Sequence, residues 1–331
     1  MKPQAEQDAP LSAAGLEARM LTIRSELARD LGSSERLRLA RELRDVSKQW
    51  SSALAPMDRV RLARNPSRPQ TLDYASLLIR DFIEIHGDRR FADDPAIVAG
   101  LGYFGTRPVA IVGHQRGHST SERLRRNFGK PYPEGYRKAA RLYLLAHRFG
   151  LPLITFVDTQ GAEPGVGAEE RGQAEAIAAN LELMARLETP VITCIIGEGG
   201  SGGALALAVA NVVLIQENAC YSVITPEGCA AILFRSAGPE KVDDVARVLR
   251  LSAADLKALG VVDEIVTEPA GGAHMDPQAA ARELGAVLRR SLARMDRMTP
   301  QALRRSREAK FAAMGTTYLV DNCLENRRPP G

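Results

Sequence analysis

The stretch PVITCIIGEGGSGGALALAVA (Pro190–Ala210) joins two apolar runs through five glycines in eight residues, Gly197–Ala204. Each glycine costs backbone entropy on folding, so such a concentration calls for a reason. The first run is short, β-branched and free of charge, which reads as a buried strand. The second reads as a helix over Ala204–Ala210. A helix start carries unpaired N–H groups and a partial positive charge, and glycine removes the Cβ atoms that would hold a ligand away. A strand–Gly–Gly–helix turn therefore suits a developing oxyanion, with Gly202 and Gly203, last before the helix, as the best placed donors. Loss of one such donor costs about 3 kcal/mol of transition-state stabilisation.

The glycines alone leave three readings open. They can serve close helix–strand packing. They can cradle a phosphate, although no G-x-x-x-x-G-K-[ST] occurs in the chain. They can form a nucleophile elbow, because Gly199-Gly200-Ser201-Gly202-Gly203 fits G-x-S-x-G and would make Ser201 a nucleophile. That reading needs a base downstream, and His274 is the only histidine after Ser201.

Upstream, LPLITFVD (Leu151–Asp158) reads as another buried strand. It runs into DTQGAEPGVGAEERGQAEAIAANL (Asp158–Leu181), a second glycine turn opening a helix over Ala168–Leu187. Glu169 and Glu170 fall where the helix dipole favours acids. Two such turns suggest two amide-lined pockets side by side, whereas a hydrolase elbow needs one. Strands are expected at Ile97–Tyr103, Val109–Gly113, Val212–Gln216 and Cys220–Ile224, and a helix at Arg137–Phe149. Apolar strands alternating with helices imply an α/β domain whose sheet is covered on its faces. Residues 11–64 show helical spacing (Leu16, Met20, Ile23, Leu27) until NPSRP (Asn65–Pro69) interrupts it. The expected organisation is a helical extension over 1–66, a main domain over 67–270 and a helical tail or lid over 271–331.

The 331 residues are 45% hydrophobic, with no run of membrane-spanning length. The opening MKPQAEQDAP lacks the apolar core of a signal peptide. Cys194, Cys220, Cys229 and Cys323 form no C-x-x-C pair, so neither a zinc ribbon nor a disulfide framework is indicated. The expectation is a cytoplasmic protein without a metal of its own. The net charge of +4 and pI near 8.9 permit polyanionic partners, but solvated charge is the favoured reading.

Taken together, RPQTLDYASLLIRDFIEIHGDRRFADDPAIVAG, GHQRG, RRNFGKPYPEGYRKAARL, PGVGAEERGQAEAIA, GEGGSGGALALAV and YSVITPEGCAAIL resemble the α subunit of bacterial acetyl-CoA carboxylase carboxyltransferase, from about Leu62 to Glu268. The resemblance implies a crotonase-like spiral of ββα turns and a separate β subunit, as α2β2, which carries the zinc ribbon. It also implies a biotin carboxyl carrier protein that delivers carboxybiotin, since this chain has no Met-Lys-Met biotinylation site. The reaction implied moves CO2 from N1 of carboxybiotin to the methyl carbon of acetyl-CoA, giving malonyl-CoA. Negative charge then gathers on the ureido oxygen, where the Gly202 and Gly203 amides would stabilise it. Gly165 and Val166 would form a second pocket wall. Such chemistry asks for no side-chain acid or base.

The basic stretch Arg116–Arg137 suits the phosphates of coenzyme A, with Arg125, Arg126 and Lys130 as candidates, or is simply a solvated face. A nucleic-acid role ranks lower. Two positions depart from the family's D-T-P-G-A-Y-P-G: Gln160 replaces the proline and Glu163 the tyrosine. They suggest a specialised copy with altered acyl-CoA preference or inhibitor sensitivity. The other classes to exclude are a serine hydrolase using Ser201 and His274 and a non-catalytic regulatory or scaffold subunit.

Overall fold

A computed structural model describes residues 12–234 and 238–315; Cys323 and the end of the tail lie outside them. The chain opens with helices α1 (Ala13–Leu27), α2 (Ser33–Ala53) and α3 (Pro56–Ala63), the last started by a proline at its first position. Helix α4 (Thr71–Leu78) leads into strands β1 (Ile79–Glu84), β2 (Ile97–Phe104) and β3 (Arg107–His114). The short α5 (Thr120–Arg125), then α6 (Pro133–Phe149), precede β4 (Leu153–Thr159). Next come α7 (Val166–Glu170), α8 (Gln173–Arg186), β5 (Val191–Gly200) and α9 (Ser201–Leu205). The remainder is β6 (Val212–Gln216), β7 (Cys220–Ser222), α10 (Pro226–Leu233), α11 (Pro239–Val248), α12 (Ala253–Ala258), β8 (Glu264–Val266), α13 (Pro277–Met295) and α14 (Pro300–Ala313).

The strands form one sheet in the order β1-β2-β3-β4-β5-β6-β8, with β7 attached to β5. The first three are antiparallel neighbours, and from β3 onward the pairing is parallel. Side chains alternate between the two faces, as the period of a strand requires. Leu153 and Val157 of β4 join one core with Tyr136 and Leu142 of α6 and Met184 of α8. Ile154 and Phe156 join the other, with Tyr74 of α4 and Leu284 and Leu288 of α13. Each buried aliphatic side chain contributes about 1.5–3 kcal/mol, so a strand buried on both faces is a strong organiser of the fold.

Several expectations shift. Strand β1 has no clear apolar alternation; its Asp81 adopts φ 53°, so periodicity did not reveal it. The single helix expected at Ala168–Leu187 is two, broken where Gly172 takes φ 83°. The strand expected at Cys220–Ile224 ends at Ser222. Helix α14 is pinned to the sheet domain. Arg307, fully buried on α14, donates to the carbonyls of Leu187 and Thr189 and to Asn211 Oδ1.

Candidate active site at the glycine turns

The turn is shorter than the spacing of glycines suggested. Strand β5 continues through Gly200, because Glu198, Gly199 and Gly200 pair with Cys220, Tyr221 and Ser222 of β7. The helix then starts at Ser201 rather than Ala204 and ends at Leu205. Gly202 and Gly203 thus lie inside its first turn, where amides have no acceptor one turn back.

The glycines divide by purpose. A Cβ on Gly200 would overlap the Gln160 carbonyl; one on Gly203 would sit 2.5 Å from the Ala162 nitrogen. These two are required by the close approach of the β4–α7 and β5–α9 turns. On Gly202 a Cβ would meet only Ile177, at 3.6 Å. Gly202 is also the partly exposed member of the pair, while Gly203 is buried. With Ser201 it borders a cavity of about 370 Å³ walled mainly by Leu205, Tyr221, Val223, Leu249 and Val261. Amide donors at the edge of an apolar slot make a site for a flat, mostly apolar group with one oxygen that gains charge.

The second turn has the same plan, but its Gly165 amide is already engaged. Glu163 Oε1 accepts from the Gly165 amide at 3.1 Å, and its Oε2 accepts from Asn127 Nδ2 at 2.8 Å. The Glu163 carboxylate thereby fills the Gly165 donor. Val166 at the start of α7 is 75% exposed. Glu169 sits in that helix's first turn.

Of the cations considered for phosphate, Arg125 is exposed and Lys130 half-exposed. Arg126 is committed to the fold: it is buried, bonded to Glu122 Oε1 at 3.0 Å and to the Pro95 carbonyl at 2.8 Å. Its Nε and Nη1 thus serve the fold and its charge is partly met by Glu122, which makes Arg126 a weaker candidate than Arg125 and Lys130. Ser201 adopts φ 56°, a strained conformation for serine that an elbow would share. Its supposed base is elsewhere. His274 lines a different cavity with Arg24 and Trp50, and burial, together with the Arg68 cation, lowers its pKa. The two residues share no cavity, and no triad forms.

Residues outside the glycine motifs support the turn. Arg64, just after α3, grips Glu198 of β5 through Nε and Nη2 at 2.8 and 2.7 Å and also bonds Glu227 at 2.6 Å. Arg68, fully buried, pairs with Glu268 at 2.7 Å and donates to the Ile196 carbonyl at 3.0 Å. Asp158 Oδ1 accepts from the Glu198 amide at 3.1 Å. Nothing in the spacing of the motifs pointed to Arg64, because it closes α3 at the end of the helical extension.

The family model described as acetyl co-enzyme A carboxylase carboxyltransferase-like matches residues 8–315. The chain belongs to this family. It is 49% identical over 313 residues to the acetyl-coenzyme A carboxylase carboxyl transferase subunit alpha of Aquifex aeolicus, covering 92% of this chain and 96% of that one. It is 54% identical over 286 residues to the protein of the same name from Thermus thermophilus, covering 86% and 91%. Among solved structures it is similar to transcarboxylase 12S with methylmalonyl-coenzyme A bound, with a TM-score of 0.56 at 22% identity. That match covers 70% of this chain and 43% of the other. It is also similar to the β subunit of Pseudomonas aeruginosa geranyl-CoA carboxylase, with a TM-score of 0.53 at 17% identity, covering 77% and 45%. At those identities the likeness is one of fold, which is crotonase-like, and this chain spans less than half of each of those chains.

Proposed function

We propose that the chain is the α subunit of a biotin-dependent acetyl-CoA carboxyltransferase, transferring a carboxyl group from carboxybiotin to acetyl-CoA to form malonyl-CoA. The observation that carries this reading is the Gly202 amide. It is a first-turn donor with room around it, at the edge of an apolar cavity whose lining, among the described residues, holds no histidine or carboxylate. Carboxybiotin, when bound, supplies the carboxyl group and places negative charge on its ureido oxygen. Gly202 donates toward that oxygen, and buried Gly203 continues the donor row on the same turn. The walls formed by Leu205, Tyr221 and Val261 suit an apolar ring system. The residues present therefore fit the group.

The Gly165–Val166 wall plays a lesser part, since Glu163 holds the Gly165 donor. Arg125 and Lys130, with the less accessible Arg126, are the cations for the coenzyme A phosphates. A β subunit, arranged as α2β2, completes the acyl-CoA half of the site, and a biotin carboxyl carrier protein brings the prosthetic group, in the cytoplasm. Departures at Gln160 and Glu163 make this a copy with its own acyl-CoA or inhibitor preference.

The test is co-expression with the partner β subunit and an assay of malonyl-CoA-dependent carboxylation of free biotin. Activity is expected from the hetero-oligomer and absent from this chain alone. A correctly assembled complex without exchange activity would overturn the reading.

A further inference from the structure

Two polar side-chain atoms beside the glycine turn have no hydrogen-bond partner. His114 ends β3 with its ring fully buried, and Tyr136 is fully buried on α6. The His114 Nε2 and the Tyr136 hydroxyl are both unpartnered among the described residues. Both stand against the same residue. The carbonyls of Phe156 and Gly203 lie beside the His114 ring, opposing the effect of burial, and the Tyr136 oxygen would be 2.8 Å from a Cβ on Gly203.

An unsatisfied buried polar group costs about 1–3 kcal/mol, and one such group in a native fold asks for an explanation. Two of them converging on one glycine at the presumed donor turn share an explanation. The tautomer of His114 follows from its other nitrogen. The Asp158 amide donates to Nδ1 at 3.4 Å, so the ring proton sits on Nε2. Burial holds the ring neutral, its pKa lowered to about 3, so it donates without adding a charge. Hydrogen bonds in an unliganded site are often long and tighten only around the reacting group.

We propose that His114 and Tyr136 are positioning residues for the Gly203 backbone, closing hydrogen bonds to it when the turn takes up negative charge. They touch no substrate; they hold the backbone of the residue that ends the donor row. The inference rests on the carboxyltransferase reading. It names side chains for a turn whose chemistry is otherwise all backbone.

The experiment uses the complete α–β complex. Tyr136→Phe removes only the hydroxyl. Because that oxygen is unsatisfied, Tm should hold or rise while kcat falls several-fold to about tenfold with KM for acetyl-CoA unchanged, a modest share of what misplacing a catalytic group costs. A purely structural role predicts the opposite, an unchanged kcat. For His114, Gln places its amide near the Nε2 position and Asn near Nδ1. Gln is expected to retain most of kcat, and Asn to lose roughly tenfold to a hundredfold. Independently of any variant, imidazole 15N shifts of the wild-type protein should report the Nε2–H tautomer. An Nδ1–H tautomer, or a Tyr136→Phe complex with wild-type kcat, would overturn the proposal. Wild-type complex lacking exchange activity would instead refute the reading on which it rests.

Discussion

The β4–α7 and β5–α9 turns are built to one plan, yet a side chain engages a backbone amide in only one of them among the described residues. Both follow a fully buried strand, and both open a five-residue helix. One difference is a carboxylate: Glu163 takes the Gly165 amide at the cap of α7, whereas among the described residues no side chain caps α9. Glycine content therefore measures how closely backbones approach, while ligand access depends on which side chain lies two residues away. The supports differ too. The open turn is fixed from behind by arginines on Glu198 and Ile196, and the closed one by its own acid and the Asn127 amide.

The hardest blow to this contrast is Gly203→Val, which forces a side chain against the Gly161–Ala162 backbone. Overpacking of that kind costs about 1–3 kcal/mol or more, and rigid backbone on the far side puts this case at the top of the range. The expected outcome is a complex with sharply lower Tm and no measurable transfer. Wild-type melting and turnover would mean the turns do not need to touch.

Gly202→Val is the cleaner probe, since its neighbour stands 3.6 Å off. Tm should move little, whereas kcat should fall on the order of a hundredfold, comparable with losing an oxyanion donor. Normal turnover from a folded Gly202→Val complex would sink the assignment of this turn as the donor site.

A pH effect sharpens the contrast from the closed side. The loop behind that turn is held by Asp94, whose Oδ2 accepts from the Tyr132 amide at 2.8 Å, while the neighbouring Pro131 carbonyl accepts from Glu163. Burial, the largest cause, raises the Asp94 carboxyl to about 6, against the hydrogen bonds that favour its charge. The folded state therefore binds the proton more tightly than the unfolded chain. That contribution is full below about pH 4 and is lost as pH rises through about 6, a change of roughly 3 kcal/mol. Chemical denaturation across pH 4–7 should show this decline, and Asp94→Asn should flatten it.

Smaller effects follow from Glu163→Gln and Ser201→Ala. The first weakens the self-cap, and should cost about 1 kcal/mol or less, as for a lost helix cap. Its informative readout is KM and inhibition across acyl-CoA chain lengths, which shift if Glu163 sets preference; unchanged profiles would make it a local cap alone. Ser201→Ala should leave transfer within about threefold, because the donors there are main-chain. A loss of several orders of magnitude would restore the hydrolase reading.

Much of this was legible beforehand. The runs Leu151–Asp158 and Val191–Ile196 announce buried parallel strands because both faces of the sheet are covered, and the glycine turns after them mark where the site lies. The motifs carry the family, and the comparisons bear it out. Periodicity failed where structure depends on pairing: β1 reads as polar, and Gly197–Gly200 read as turn although β7 makes them strand. Arg126 looked like one of three equivalent cations, and only its bonds to Glu122 and Pro95 set it apart.

What the sequence determined by itself is the set of local conformations: which runs bury both faces, where the backbone must be bare, and which chain family shares those choices. Those depend on side-chain period and on the absence of Cβ, both properties of neighbouring residues. Tertiary structure alone decided that Gly202 is a donor with room around it, that Gly165 is filled, and that His114 and Tyr136 stand behind Gly203. Those are distances between segments dozens of residues apart, which no local pattern encodes.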